Sequence, residues 1–477
     1  MVLTTDYLII GAGAMGMIFA DQMLSETDAR LIIVDRRAMP GGHWNDAYPF
    51  VRLHQPSAYY GVGSRALGAN RIDRSGLNAG YYEQASRSEI LEYFDALMRE
   101  RFLPSGRVQY FPMSDYVDGR IVSRISGAET GVAYRKLVDS SFFNTQIPAT
   151  HTPSYEIADG VTLAAPHQLA QTAARRDAYV IVGGGKTGMD VAIWLLEMGA
   201  PASAIHWIVP RDSWLINREV TQPGDDFFAA NVGGLAHQLE AAASAASLAD
   251  LFARLEETGQ LLRIDRTIEP LMYRGATMSR AEVDLLATIK NVVRLGHVRA
   301  LRRGEIVLDQ GAARAPEGSL FVDCSARALS DRPPQPVFEG DTITLQLVRA
   351  QLVTISAATI AHVEATYEND AEKNDLCRPI PPAVTDSDWA RVTLADLRTA
   401  KRWSQDKLLR RWVGEHRLSG FGSRPTDPEA EAINHRIREA RPMAEENLER
   451  LLAAAHLGEK SGEAGSDLAA RTSRRET

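Results

Sequence analysis

The sequence predicts an α/β fold of two parallel-sheet units followed by a helical C-terminal region, and three observations predict it. A run of β-formers leads into a glycine-rich turn and a helix at two places: residues 6–16 read Asp-Tyr-Leu-Ile-Ile-Gly-Ala-Gly-Ala-Met-Gly, and residues 178–188 read Ala-Tyr-Val-Ile-Val-Gly-Gly-Gly-Lys-Thr-Gly. Each turn is followed by a second apolar run, at 30–34 and at 205–209. After about residue 366 the composition becomes polar and helical. Continuous aliphatic runs of four or five residues mark parallel strands buried on both faces. Each strand–turn–helix–strand set is then a right-handed βαβ crossover.

In chain order, 6–10 and 30–34 are strands, and 14–25 is a helix carrying Met15, Ile18, Phe19 and Met23 at helical spacing. Residues 41–80, rich in Gly, Tyr, Asn and Ser, form a long ordered functional loop. Ser88–Arg101 is helical, with Ile90, Leu91, Phe94, Leu97 and Met98 on one face, and 107–147 alternates as a strand meander. Strand 178–182, helix 186–198 ending at Gly199, and strand 205–209 make the second unit. Ala-rich 235–258 reads as one helix, because Leu248, Leu251, Phe252 and Leu255 fall at i, i+3, i+4 and i+7. Residues 292–293, 306–308 and 320–322 read as strands returning to the first domain, and Gly340-Asp341 as a hairpin turn. Residues 459–477 carry no apolar period and read as a disordered tail.

The G-x-G-x-x-G spacing of both turns places backbone N–H groups and a helix N-terminus around a pyrophosphate. In the first, Gly11 permits the tight bend, Gly13 the approach of the phosphates, and Gly16 close helix–strand packing. Asp35 ends the next strand nineteen residues after Gly16, where a carboxylate accepts the hydroxyls of an adenosine ribose; Arg36 follows it. In the second, Gly183, Gly185 and Gly188 take the same three parts, with Lys186 and Thr187 opening the helix as candidate grips on the nucleotide. Its second strand ends Pro210-Arg211-Asp212: Arg211 suits the 2′-phosphate of NADP, while Asp212 suits the free ribose of NAD. A P-loop would need a glycine where Val180 stands. Two such turns in one chain imply two dinucleotides held together, and the simplest reason to hold both is to pass a hydride from a nicotinamide to a flavin. A turn that only packs strand on helix is the plainer alternative.

Bulk properties narrow the class. The chain has 477 residues, 45% hydrophobic and 24% charged, with a net charge of −8 and no Lys/Arg block, which disfavours nucleic acid and membrane as partners. No apolar stretch reaches a bilayer span and no signal-peptide pattern opens the chain, so a cytoplasmic protein is expected. The two cysteines, Cys324 and Cys377, form no C-x-x-C, which excludes a redox-active pair. The eleven histidines show no metal-ligand spacing, so no metal site is expected.

From Gly41 the chain runs Gly41-Gly42-His43-Trp44, then Tyr48-Pro49-Phe50, then Arg52, His54, Gln55, Pro56 and Ser57. This segment resembles the Gly-Gly-x-Trp…Tyr-Pro loop of class B flavin-dependent monooxygenases. The order of motifs over roughly residues 5–365 is similar to that family as well, including a return at Phe321-Val322-Asp323-Cys324-Ser325-Ala326. The resemblance implies two Rossmann-like dinucleotide-binding domains, the NAD(P) domain inserted in a split FAD domain. It divides the chain into 1–165 and 301–365 for FAD, 166–300 for NAD(P), a helical region 366–458 and the tail 459–477. It also implies that Gly42, His43 and Trp44 lie along FAD, Trp44 serving equally well as core. His54 or Gln55 falls near the reactive edge, where the family keeps an Asn or an Asp; His54 has a structural reading beside the functional one. The linker fingerprint Phe-x-Gly-x-x-x-His is absent, with Pro148, His151, Tyr155, Gly160 and His167 in its region. The implied activity is NADPH-dependent oxygenation of a small organic substrate by O2, through an oxygenated flavin, at nitrogen or sulfur rather than by Baeyer–Villiger insertion. A flavin reductase without productive oxygenation, and a non-catalytic redox sensor, are the alternatives. The C-terminal region suits a cover over the substrate pocket and a homodimer interface equally.

Overall fold

In the computed structural model, residues 2–171, 176–326, 332–419 and 428–473 are described, with side chains through residue 456. The Val2–Ile10 strand lies inside a sheet ordered Phe338–Glu339, Thr342–Thr344, Glu129–Asp139, Val2–Ile10, Leu31–Val34, Val108–Phe111. All neighbours are parallel except the Phe338/Thr342 hairpin. Successive side chains of a strand point to opposite faces, and the core divides accordingly. Tyr7, Ile9, Leu31 and Ile33 face the helix Ala14–Glu26, while Leu8, Ile32 and Val34 face Ile121 and Val132 of an antiparallel meander. Against Ala14–Glu26 packs Val353–Thr366, whose Ala357, Ala358, Ile360 and Ala361 are all 0% exposed. A helix apolar all round belongs in a core.

The meander is shorter than its sequence suggests. Val108–Phe111 joins the first sheet in parallel, and only Ser114–Val117, Arg120–Ser123 and Glu129–Asp139 alternate as a meander.

The second sheet is parallel throughout, ordered Asn291–Val293, Ile205–Ile208, Tyr179–Val182, Leu320–Asp323, Thr162–Ala164. This corrects the strand assignment. The runs at 292–293 and 320–322, read as returning to the first domain, pair inside the second unit. Glu305–Leu308 lies in a separate four-stranded sheet with Gly311–Arg314, Val298–Arg302 and Glu156–Ile157. Short, fully buried runs fit any parallel sheet, so their pattern does not say which one they complete. The second unit therefore takes in Thr162–Ala164 before residue 166 and Leu320–Asp323 after residue 300. The chain rejoins the first sheet only at Thr342–Thr344, beside Leu137–Asp139. The turn at Gly340-Asp341 is the expected hairpin, with Gly340 at φ +62°.

The Ala-rich segment is two helices, Phe228–Ser244 and Leu248–Glu257, because Ser247 caps the second through the Asp250 N–H. The C-terminal helices Asp386–Gln405 and Pro428–Ser473 bury Trp389, Leu397, Ile433, Ile437 and Leu448 against Leu239 and Phe252 of that pair. Lys407–Glu415 turns back to the first unit, where Trp412 meets Glu26. Pro428–Ser473 also corrects the tail: helix continues through residue 473, since Ala, Glu, Lys and Arg sustain it without an apolar stripe. Residues 474–477 of that expected tail lie outside the described residues. Among the described residues, no helix is long and apolar enough to cross a membrane.

Candidate functional site

Both glycine turns fold as strand–turn–helix. Gly11 and Gly183 stand at φ +104° and +122°, conformations in which a side chain is strained. A Cβ at Gly16 would lie 2.1 Å from the Gly11 carbonyl, and one at Gly188 2.2 Å from the Gly183 carbonyl, so both positions exclude any side chain. Gly13 and Gly185 are the N-caps of Ala14–Glu26 and Lys186–Glu197. Neither helix has a side-chain cap or an acid in its first turn. By contrast Arg87–Leu97, Arg280–Leu286 and Asp386–Gln405 are closed by Ser86, Ser279 and Thr385 capping boxes. Uncapped first-turn N–H groups and the positive helix end are what an anion needs.

Around the first turn, Asp35 is 4% exposed, accepting from the Ala12 N–H at 2.6 Å and the Arg37 N–H at 2.7 Å. Burial pushes its carboxyl up despite those bonds. Arg36 is exposed, and Arg37 pairs with Asp46 at 2.7 Å. The Gly41 N–H donates to the Ala12 carbonyl at 2.8 Å, and Gly42 approaches Gly13 so closely that a Cβ there would lie 2.8 Å from the Gly13 Cα. The Gly41-Gly42 segment is thereby fixed beside the glycine turn. His43 stacks on Trp44 at 5.3 Å, and burial holds its imidazole down at about 4. Trp44 is buried in the first core and donates from Nε1 to the Tyr60 hydroxyl at 2.8 Å.

At the second turn a Cβ on Gly185 would meet nothing within 4 Å, so the mouth of this helix is open. Lys186 is ion-paired to Asp190, one turn on, and Tyr48 donates to the other Asp190 oxygen at 2.7 Å. Thr187 also faces the Tyr48 phenol. Arg211 is exposed, whereas Asp212 is taken by Arg294 in a two-pronged pair at 2.8 and 3.1 Å. Beside them lies a small cavity of about 20 Å³, lined among others by Gly184, Val209, Asp212, Arg263, Asp265 and Arg294.

His54 and Gln55 are half-buried on the loop between the units. Burial, together with the charges of Lys186 and Arg218, holds the His54 imidazole well below its usual value, so it is neutral near pH 7. Arg218, 1% exposed, pairs with Glu282 at 2.7 Å and reaches Asn78 Oδ1 at 3.2 Å. The sequence pointed to the Gly41 loop but not to Asp190 or Arg218. Asp190 had a signal, its i,i+4 relation to Lys186. Arg218 had none. His151 approaches Ser325 at 3.5 Å, and Cys324 and Cys377 are free and buried. Among the described residues no cluster of three or more His, Cys, Asp or Glu is arranged to hold a metal ion.

Two parallel sheets, each opening a helix on an uncapped glycine turn, with the second sheet inserted into the first, define an α/β protein of two Rossmann-like units with a helical C-terminal region. The chain belongs to the family of the uncharacterized proteins Rv2000 of Mycobacterium tuberculosis and Mb2023 of Mycobacterium bovis. It is 48% identical to each over 417 residues, 87% of this chain and 77% of theirs. No family model matches it. Solved structures superpose only loosely. Cyclohexanone-bound cyclohexanone monooxygenase is 13% identical with a TM-score of 0.48, covering 79% of this chain and 88% of its own. A flavin-containing monooxygenase of Stenotrophomonas maltophilia is 14% identical at 0.43, covering 79% and 100%. Bacillithiol disulfide reductase of Staphylococcus aureus is 10% identical at 0.47, covering 77% and 100%.

Proposed function

We propose that the chain is an NADPH-dependent flavin monooxygenase, with FAD on the first unit and NADP on the second, oxygenating a small substrate at nitrogen or sulfur. The observation that carries this reading is the pair of uncapped glycine-turn helices, joined by one loop that touches both. The residues fit two dinucleotides. Gly185 leaves space where a side chain would fill the phosphate cradle, and no acid stands in either first turn to repel phosphates. Gly11, Gly13, Gly16 and Asp35 would hold FAD; Gly183, Gly185, Thr187, Gly188 and Arg211 would hold NADP. Bound FAD would supply the hydride acceptor and the centre that activates O2.

The chain's own residues position and exclude water. The pairing of Asp212 with Arg294 removes the acid that would favour a free ribose, which supports NADP over NAD. A neutral His54, kept so by burial and by the charges of Lys186 and Arg218, can donate or accept one hydrogen bond without adding charge, and Gln55 beside it offers both roles. The family resemblance puts His54 or Gln55 where Baeyer–Villiger enzymes keep an Asp, and the missing Asp favours a soft nucleophile as substrate.

The test is made on purified protein. Expected are a bound flavin, its bleaching by NADPH without air, and, with O2 and amines or sulfides, oxygenated product matching the NADPH consumed. His54→Ala/Gln55→Ala is expected to release more H2O2 per NADPH. Quantitative H2O2 release with every substrate would replace this reading by a flavin reductase. Flavin that NADPH does not reduce would leave a sensor, and a colourless protein would refute flavin chemistry.

A further inference from the structure

We propose that Asp190 is a positioning residue for transfer between the two units, holding Tyr48 of the first unit's loop against the first turn of the second unit's nucleotide helix while neutralising Lys186. The proposal rests on the reading of both units as dinucleotide sites. Lys186, Asp190 and Trp194 stand at i, i+4 and i+8 of Lys186–Glu197 and so share one face. Tyr48 and Phe50, two apart on the loop, meet that face at two points. The Tyr48 hydroxyl donates to Asp190 at 2.7 Å, and the Phe50 ring stacks on Trp194 at 4.8 Å and 15°. Tyr48 is 8% exposed, and the Lys186 and Asp190 side chains are 14% and 12% exposed, so the tie is sheltered from water.

Two consequences follow. A hydrogen bond to a sheltered carboxylate is charge-assisted and directional, so this contact sets how the Gly41 loop, fixed at its other end to the first turn, sits relative to the second. A displacement of about 1 Å is enough to slow a transfer reaction severely. Lys186, in turn, has its charge already matched by Asp190 and is not a free grip for phosphate. Removing the Asp190 charge therefore strengthens nucleotide binding even as it loosens the geometry. These opposed signs separate positioning from a general structural defect.

The experiment measures, anaerobically, the rate constant of flavin reduction by NADPH and, separately, the Kd for NADP+, in the wild type, Tyr48→Phe, Asp190→Ala, Asp190→Asn and the Tyr48→Phe/Asp190→Ala double variant. Bound flavin content reports folding. Tyr48→Phe and Asp190→Ala are expected to slow reduction tenfold or more. Asp190→Ala should tighten NADP+ by severalfold, and the double variant should be no slower than Asp190→Ala alone. Asp190→Asn, which keeps an acceptor for Tyr48 without the charge, should reduce faster than Asp190→Ala but more slowly than the wild type, with NADP+ still tightened. Variants that retain flavin and reduce at the wild-type rate, or losses that simply add, overturn this proposal alone. A wild-type protein whose bound flavin NADPH does not reduce overturns the two-dinucleotide reading and this proposal with it.

Discussion

Acidification should release the segment that returns from the C-terminal region to the first unit, and His416 fixes the pH window. Its Nδ1 accepts from the Leu418 N–H at 3.3 Å, so the remaining proton sits on Nε2, 3.2 Å from Gln22 Oε1. The ring packs on Trp412 at 4.4 Å, and Trp412 stacks on His362 at the same distance. Burial and the adjacent Arg417 hold His416 down at about 4 from 6.5, against the weaker pull of Glu26 and Asp21. The folded state thus refuses a proton that the unfolded chain accepts. The contribution is fully present above pH 6.5 and is lost as pH falls toward 4. Between pH 7 and pH 5 the linkage amounts to about 2 kcal/mol at most, because the ring is only half-buried, or roughly thirtyfold in the opening equilibrium. Glu26, lowered overall by its His362 bond against the opposing effect of burial, stays ionised across this window and does not offset the change. Hydrogen exchange of residues 407–419, corrected for intrinsic rates, measures it. Protection should drop by up to thirtyfold in the wild type and markedly less in His416→Gln. Equal protection at both pH values would refute the assignment of the proton.

Four further outcomes are expected. Gly188→Ala should lose roughly 3 kcal/mol in urea unfolding, since its methyl would strike the Gly183 carbonyl and crowd Trp207; Gly185→Ala, with open space at its Cβ, should fold normally but bind NADP+ more weakly by calorimetry. Arg211→Ala should reduce the NADPH-over-NADH preference in kcat/KM about tenfold, the worth of one charge-assisted contact to a phosphate. Glu364→Gln should cost about 3 kcal/mol in thermal unfolding, because Lys136 at 3.0 Å would lose its carboxylate and Lys373 at 2.7 Å would keep only the longer pair with Asp370 at 3.7 Å.

The sequence revealed local geometry better than long-range pairing. The glycines of both turns, the helices behind them and the hairpin at Gly340-Asp341 were legible because each depends on residues within a few positions. Leu320–Asp323 was not, since four buried aliphatic positions look alike in any parallel sheet. Its membership is decided by Tyr179–Val182 and Thr162–Ala164 on either side. The break at Ser247 was legible in principle, as Ser followed three residues later by Asp is a helix start. The alanine-rich stretch 241–246, interrupted only by Ser244, masked it.

The site divides along the same line. Glycine turns announce themselves because a phosphate cradle is built from backbone, and backbone freedom is written as glycine. The tie between the units is built from side chains 142 residues apart in sequence, and nothing local marks Tyr48 or Asp190 as partners. Their pairing follows from a constraint that only the folded chain imposes. An ammonium and a phenol confined together at a helix mouth both need an acceptor, and Asp190 is the carboxylate within reach of both. The same constraint gives Lys186 a carboxylate partner one turn on, which its place in the glycine turn does not announce. A chain that passes a hydride between two units must first hold them in register, and on the reading proposed above the residues that do so stand within one turn of the second glycine turn.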